Sequence, residues 1–220
     1  MNPTRLQSLD TLRGVAVMGI LLLNIVGFAM PEAAYSNPRA FGGWHGADLG
    51  VWLGNFLLFD GKMRALFSML FGASMLLVIE RAEASGRDAA AIHFRRMAWL
   101  LGFGLAHLWL LWQGDILAQY AVIGMIAFAA RDLPVARLIV LGVMLVGFSV
   151  LMAAQLPLAV LRATTDPGAA AELAEWTLGF GTPPATHLAA EIAAHLRSYP
   201  DLVRLRLAEH PSGPLPGLIY

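Results

Sequence analysis

Of 220 residues, 58% are hydrophobic and only 14% are charged, and the mean hydropathy is +0.64. Fifteen Lys and Arg balance fifteen Asp and Glu, so no overall basic field draws nucleic acid to the chain. Cysteine is absent, which excludes disulfides, a thiolate nucleophile and a thiolate metal site, and no metal is expected.

In chain order, five stretches are long, apolar and free of Asp, Glu, Lys and Arg: residues 14–30, 65–79, 97–113, 116–130 and 138–161. At about 1.5 Å rise per residue each covers most of a roughly 30 Å hydrocarbon layer, so the expected fold is all-α, a polytopic transmembrane bundle with five spans. The first stretch also resembles a secretory signal, with Arg5 and Arg13 before it and Ala33 and Ala34 after it. An uncleaved first span is the simpler account, because the run is longer than a signal core and four more follow.

Loop charges orient the chain. Arg5 and Arg13, then Arg81, Arg87, Arg95 and Arg96, then Arg131 and Arg137 fall on alternate sides of the spans. By the positive-inside rule those loops and the N-terminus face the cytoplasm, in the plasma membrane. The opposite face holds Arg39, Lys62 and Arg64 in one long loop and Gln113-Gly114-Asp115 in a tight turn. Residues 49–59, too short to cross, suit an interfacial or re-entrant helix ending at Asp60-Gly61-Lys62.

Composition changes after the fifth span. Residues 1–162 read as the membrane domain and 163–220 as an extracytoplasmic helical loop or subdomain, with helical patterns over 169–178 and 187–209, the second broken at Pro200. The closing Leu-Ile-Tyr suits the opening of another span, so a fragment of a longer protein is expected. Gly102 and Ala106 form a small-xxx-small pair suited to close helix packing.

Polar groups inside the spans are functional candidates because hydrocarbon penalises them. Ser68, Ser74, Gln119, Ser149 and Gln155 have an ordinary structural use, bonding back to their own helix or gluing helices together. Asn24 and His107 share the outward halves of their spans, and His107 is followed by Trp109, Trp112, Gln113 and Asp115 at an aromatic, polar rim. An imidazole there suits a general base or proton shuttle. The blander reading is a helix-helix hydrogen bond for Asn24 and a packing histidine for His107. His45 and Asp48, one turn apart in the outer loop, either join that site or are simply solvated. On the inner face Asp10 and Arg13 are spaced to pair, while Arg13 with Arg95 and Arg96 suits an anion site for the phosphates of a nucleotide-like donor. His93 reads as interfacial, and Asp60, Lys62 and Arg64 as snorkelling charges.

Three segments in order carry a resemblance: Arg5-Leu-Gln-Ser-Leu-Asp-Thr-Leu-Arg-Gly14 running to Leu23-Asn24-Ile25, then Leu66-Phe-Ser-Met-Leu-Phe-Gly72, then His107 through Trp112-Gln113-Gly114-Asp115-Ile116-Leu117. Over residues 5–130 the chain resembles the YeiB-like family of bacterial membrane proteins, whose conserved C-terminal domain has no assigned function. The Leu-Asp-x-Leu-Arg-Gly opening and Asn24 are more distantly similar to heparan-alpha-glucosaminide N-acetyltransferase and the transmembrane acyltransferase superfamily. That resemblance implies transfer of an acyl group from cytoplasmic acyl-CoA to a small-molecule or glycan acceptor on the far side. It implies an active-site role for Asn24 and a partner histidine. His45 lies further from Asn24 than that pattern has it, so His45 and His107 both stand, with Asp115 beside His107.

The expected function is therefore an acyltransferase-like protein, with Asn24 and a histidine handling the acceptor and Asp10, Arg13, Arg95 and Arg96 at the donor side. Its partners are the lipid bilayer and the acceptor, with a homo-oligomer as an open assembly state. The rival is a small-metabolite transporter, against which the lack of Asp or Glu in any span counts for proton coupling. A non-catalytic scaffold is the third reading.

Overall fold

The structure, a computed structural model, describes residues 7–163 and 165–215, so Arg5 and the closing Leu-Ile-Tyr lie outside the described residues. Every regular element among those residues is helical. The chain divides into two compact units, Met1–His93 and Phe94–Tyr220.

In the first unit α1 (Gln7–Ala29) is followed by the single turn α2 (Ala33–Ser36), then α3 (Gly46–Leu58) and α4 (Lys62–Ala84). Ala16, Ile20 and Leu23 of α1 are buried at helical spacing, and Leu70, Ile79 and Ala82 are the buried residues of α4. This is the stripe expected of helices that pack along one face. Polar groups fix the register. Arg13 Nη1 reaches Asp10 Oδ1 at 2.9 Å, and Arg13 Nη2 donates to Ser74 Oγ of α4. Asn55 Nδ2 of α3 donates to the carbonyl of Leu22 at 3.3 Å. His93, expected at an interface, is instead buried, with only 2% of its surface exposed.

The second unit takes up the rest of α5 (Ala89–Ala106), a π-helical turn over His107–Leu111, α6 (Leu117–Ala127) with a short 3-10 extension over Phe128–Ala130, and α7 (Val135–Ala153) running into α8 (Gln155–Ala163). Helices α9 (Ala170–Phe180), α10 (Ala185–His195) and α11 (Tyr199–Glu209) follow. The predicted break at Pro200 is a helix start. Pro200 sits in the first turn of α11, where its missing N–H has no partner to lose. Gly102 and Ala106, the expected packing pair, are exposed, and among the described residues a Cβ at Gly102 would meet no atom beyond its own helix within 4 Å. Gly104 makes the close approach. A Cβ there would overlap the backbone of Ala118 on α6, 2.7 Å from its Cα.

Among the described residues three stretches are long and apolar enough to cross a membrane, Ser8–Ala29, Gly46–Ala84 and Val135–Ala163, and Leu117–Ala130 is a shorter apolar helix. They indicate a membrane protein. Within Val135–Ala163 the most apolar window buries none of its residues in the protein, and Val143, Val146 and Val150 stand open. A surface of that kind requires lipid or further protein around it. The hydroxyls of Ser68, Ser74 and Ser149 bond back to the carbonyls of Arg64, Leu70 and Leu145, and Gln155 Nε2 does the same to Leu151. The three serines thus carry their partners within their own helices, and Gln155 reaches back from the start of α8 to the end of α7.

Between α3 and α4 the helical run is interrupted at one residue. Gly61 adopts φ 70° and ψ −39°, and the Lys62 N–H donates to the Asp60 carbonyl at 2.8 Å, a γ-turn geometry that side chains resist. Asp60 Oδ1 also accepts from the Gly61 N–H at 2.9 Å and from Arg64 Nη2 at 2.8 Å. Gly61→Ala is expected to destabilise the full-length protein by about 1 to 2 kcal/mol. Thermal unfolding in detergent should show a lowered midpoint, and an unchanged midpoint would refute the turn geometry.

Candidate functional site

The end of α5 is where sequence and geometry meet. The Trp112 N–H donates to the His107 carbonyl at 2.8 Å, a bond spanning five residues, so the helix widens into a π turn that begins at His107. Trp112 then leaves the helix in extended conformation, at φ −159° and ψ 132°. The Trp112 indole stands edge-on to the imidazole, with centroids 6.4 Å apart and planes at 88°. Gly114 allows this, because a Cβ there would overlap the indole.

The tight turn returns Asp115 to His107. Nδ1 of His107 and Oδ1 of Asp115 are 3.0 Å apart, and the Asp115 side chain is 1% exposed against 31% for His107. Both facing atoms are buried, at ion-pair distance but without the alignment of a hydrogen bond. The other carboxylate oxygen, Oδ2, accepts the Ala118 N–H at 2.8 Å. Asp115 therefore caps α6 at its second N–H while facing an imidazole. A buried carboxylate needs such compensation, and a helix N-terminus and an imidazole each supply it. With Nδ1 sealed, the exposed part of the ring lies on its other side.

The remaining candidates fall as follows. Asn24 is half-buried on α1. His45 is exposed immediately before α3 and lies edge-on to Trp44 at 6.5 Å, while Arg39 stacks over that indole at 4.2 Å. Asp48 is exposed in the first turn of α3, where an acid suits the helix dipole. Asp10 and Arg13 do pair, and Arg13 also ties α1 to α4. Arg95 and Arg96 are exposed on α5. Within the second unit Phe94 packs on Phe128 at 5.1 Å, and Arg131 stacks on the same Phe128 at 4.1 Å, which brings a third guanidinium to the end of α5 that carries Arg95 and Arg96. Among the described residues no group of three or more His, Asp or Glu is placed to hold a metal ion.

Two features were missed in the sequence. Gly104 was passed over because its partner is Ala118, beyond a turn, and no periodicity of α5 alone selects it. The contacts of α11 to the π turn, at Leu110 and Trp109, join residues 89 to 101 positions apart and leave no local trace. Away from these contacts, two titrating groups are displaced. Burial raises the Tyr35 hydroxyl above its usual value against the opposing pull of Arg64, and the hydrogen bond from Ser198 holds the Asp201 carboxyl below its own.

Over 149 residues, 66% of this chain, the sequence is 39% identical to the uncharacterized protein YeiB of Escherichia coli (strain K12), of which it covers 37%. Over 133 residues, 58% of the chain, it is 37% identical to the uncharacterized protein YxaH of Bacillus subtilis (strain 168), covering 33% of that protein. A 39.9 kDa protein of Bacillus acidopullulyticus is 31% identical over 122 residues. These similarities support a YeiB-like family, and the chain spans about a third of the length of the curated relatives it matches. No family model matches the chain, and no solved structure does.

Asparagine serves as an N-cap as well as aspartate does, whereas alanine does not. Asp115→Ala is therefore expected to lower the stability of the full-length protein by about 1 to 2 kcal/mol, and Asp115→Asn by less than half of that. Thermal unfolding of both variants in detergent checks this. Equal losses would contradict the capping role.

Proposed function

We propose that this chain forms part of a membrane-bound acyltransferase-like protein that moves an acyl group from cytoplasmic acyl-CoA to an acceptor at the outer face. The observation behind the reading is the buried Asp115 against His107 Nδ1, a carboxylate-imidazole pair at the head of a helix. In that arrangement the Asp115 carboxylate faces Nδ1, which leaves Nε2 on the open side of the ring to act as a base. His107 then takes the proton of the acceptor's hydroxyl or amine as its heteroatom attacks the thioester carbonyl. The new bond to the acyl carbon forms, the bond to sulfur breaks, and coenzyme A leaves as a thiolate that takes up a proton. Asn24 supplies hydrogen bonds to the acceptor side, following the superfamily resemblance. Arg95 and Arg96 meet the phosphates of the donor, with the nearby Arg131 as a third cation.

For the rival reading, a transporter or carrier of a small metabolite, one observation favours proton coupling. Although the predicted spans lack Asp and Glu, Asp115 is a buried carboxylate touching the end of one of them. Both readings assume five spans, an N-terminus in the cytoplasm and residues 163–220 outside, in a multi-pass plasma-membrane protein. Reporter fusions test that frame. Gly86 and Leu133 should report the cytoplasm and Asn37 and Gly181 the outer side, and a cytoplasmic signal at Asn37 would overturn it.

The chemistry is tested by release of coenzyme A from acyl-CoA by the full-length protein in proteoliposomes. His107→Ala should lower release about 10²-fold or more with insertion intact. Glutamine restores hydrogen bonding but exchanges no proton near neutral pH, so His107→Gln should stay inactive. Full activity of His107→Gln with loss in His45→Ala would move the base to His45. If neither change lowers release, the histidine mechanism fails and the carrier reading replaces it.

A further inference from the structure

We infer that Tyr199 and Arg206 of α11 are positioning residues that hold the His107 and Asp115 pair together by gripping the π turn between them, an inference that rests on the pair proposed above. The last carbonyls of a helix lack N–H partners, and the extended Trp112 removes the residues that would have supplied them. Leu110, one residue from the end of the π turn, has its carbonyl taken up from outside. It accepts from the Tyr199 hydroxyl at 3.0 Å and from Arg206 Nη1 at 3.1 Å. Tyr199 and Arg206 are seven residues apart, two turns along one face of α11, so a single helix face delivers both donors. The second bond is charge-assisted.

The grip continues along the chain. Trp109 Nε1 donates to the His210 carbonyl at 3.1 Å, and Gly213 at φ 62° is buried so close to Leu105 that a Cβ would lie 3.2 Å from Leu105 Cδ2. Contacts at Leu105, Trp109 and Leu110 thus bracket His107 on both sides. Their consequence follows from the geometry of a π turn, which holds one more residue than an α turn. Relaxing to α geometry would rotate everything after it by about 100° and shift it by about 1.5 Å relative to His107. Asp115 would then leave Nδ1. The outer helix thereby selects the register in which the pair exists.

Diethyl pyrocarbonate, which carbethoxylates imidazole, reads the state of the ring without any acceptor. The full-length protein in nanodiscs is treated at fixed pH, and modification of His107 is measured by peptide mass spectrometry relative to the exposed His45. Asp115→Ala defines the change in this ratio when the pair is lost, expected at about fivefold. Tyr199→Phe with Arg206→Gln should reproduce most of that change, and Arg206→Lys, which keeps a cationic donor, should stay near the unaltered protein. A helix that merely docks would leave the ratio alone. If the double variant keeps the original ratio while Asp115→Ala changes it, the positioning role is wrong. If Asp115→Ala itself changes nothing, the pair is overturned, and the proposed chemistry with it. Should the double variant fail to fold, Tyr199→Phe alone, which deletes one oxygen, should still shift the ratio about twofold, and no shift would refute the inference.

Discussion

A carboxylate removed from water is the constraint around which the second unit is arranged. The Asp115 side chain is 1% exposed, and an ion so placed costs several kcal/mol unless charge and hydrogen bonds surround it. Two groups answer that demand, the first free N–H groups of α6 and the imidazole of His107. The rest follows from bringing them together. Gly114 leaves room for the Trp112 ring, Gly104 lets α5 and α6 touch beside the capped Ala118, and the π turn sets the phase at which His107 meets Asp115. Each is a local irregularity with the same beneficiary.

The first unit is held by a different principle. Its long helices meet through small and branched apolar residues, and polar groups tie them at particular points: Asp10 and Arg13 with Ser74, Asn55 with the Leu22 carbonyl, and the Asp60 carboxylate with Arg64 across the Gly61 turn. Exposed pairs such as Asp60 and Arg64 contribute little to stability, so their use is geometric. They fix which turn of α1 faces α4 and where α3 ends. The engagement of Arg13 by two partners also means that any anion reaching it would compete with Asp10.

Apolar runs made the helices legible. A stretch such as 138–161 has no soluble alternative, and the structure extends it only to Val135–Ala163. Back-bonding of Ser68, Ser74 and Ser149 was legible too, because it needs only the residue four positions earlier. Side-chain partners across turns were not. Gly102 and Ala106 have the right spacing on one helix, yet the contact falls at Gly104, because the position of Ala118 decides which face is inward. His107 and Asp115 both stood out as single residues, but eight positions that include a π turn and a reversal cannot be reduced to a helical spacing. His93 reads as interfacial in the sequence, and its burial depends on neighbours that the local sequence does not name.

The grip of α11 on Leu110 also orders events in time. Tyr199 follows Leu110 by 89 residues, so at ordinary rates of synthesis it emerges on the order of ten seconds later. During that interval α6 to α10 are made while the turn at His107 is free to take the commoner helical form. On the positioning role inferred for α11, the pair is completed only once α11 has been made, after α6 to α10.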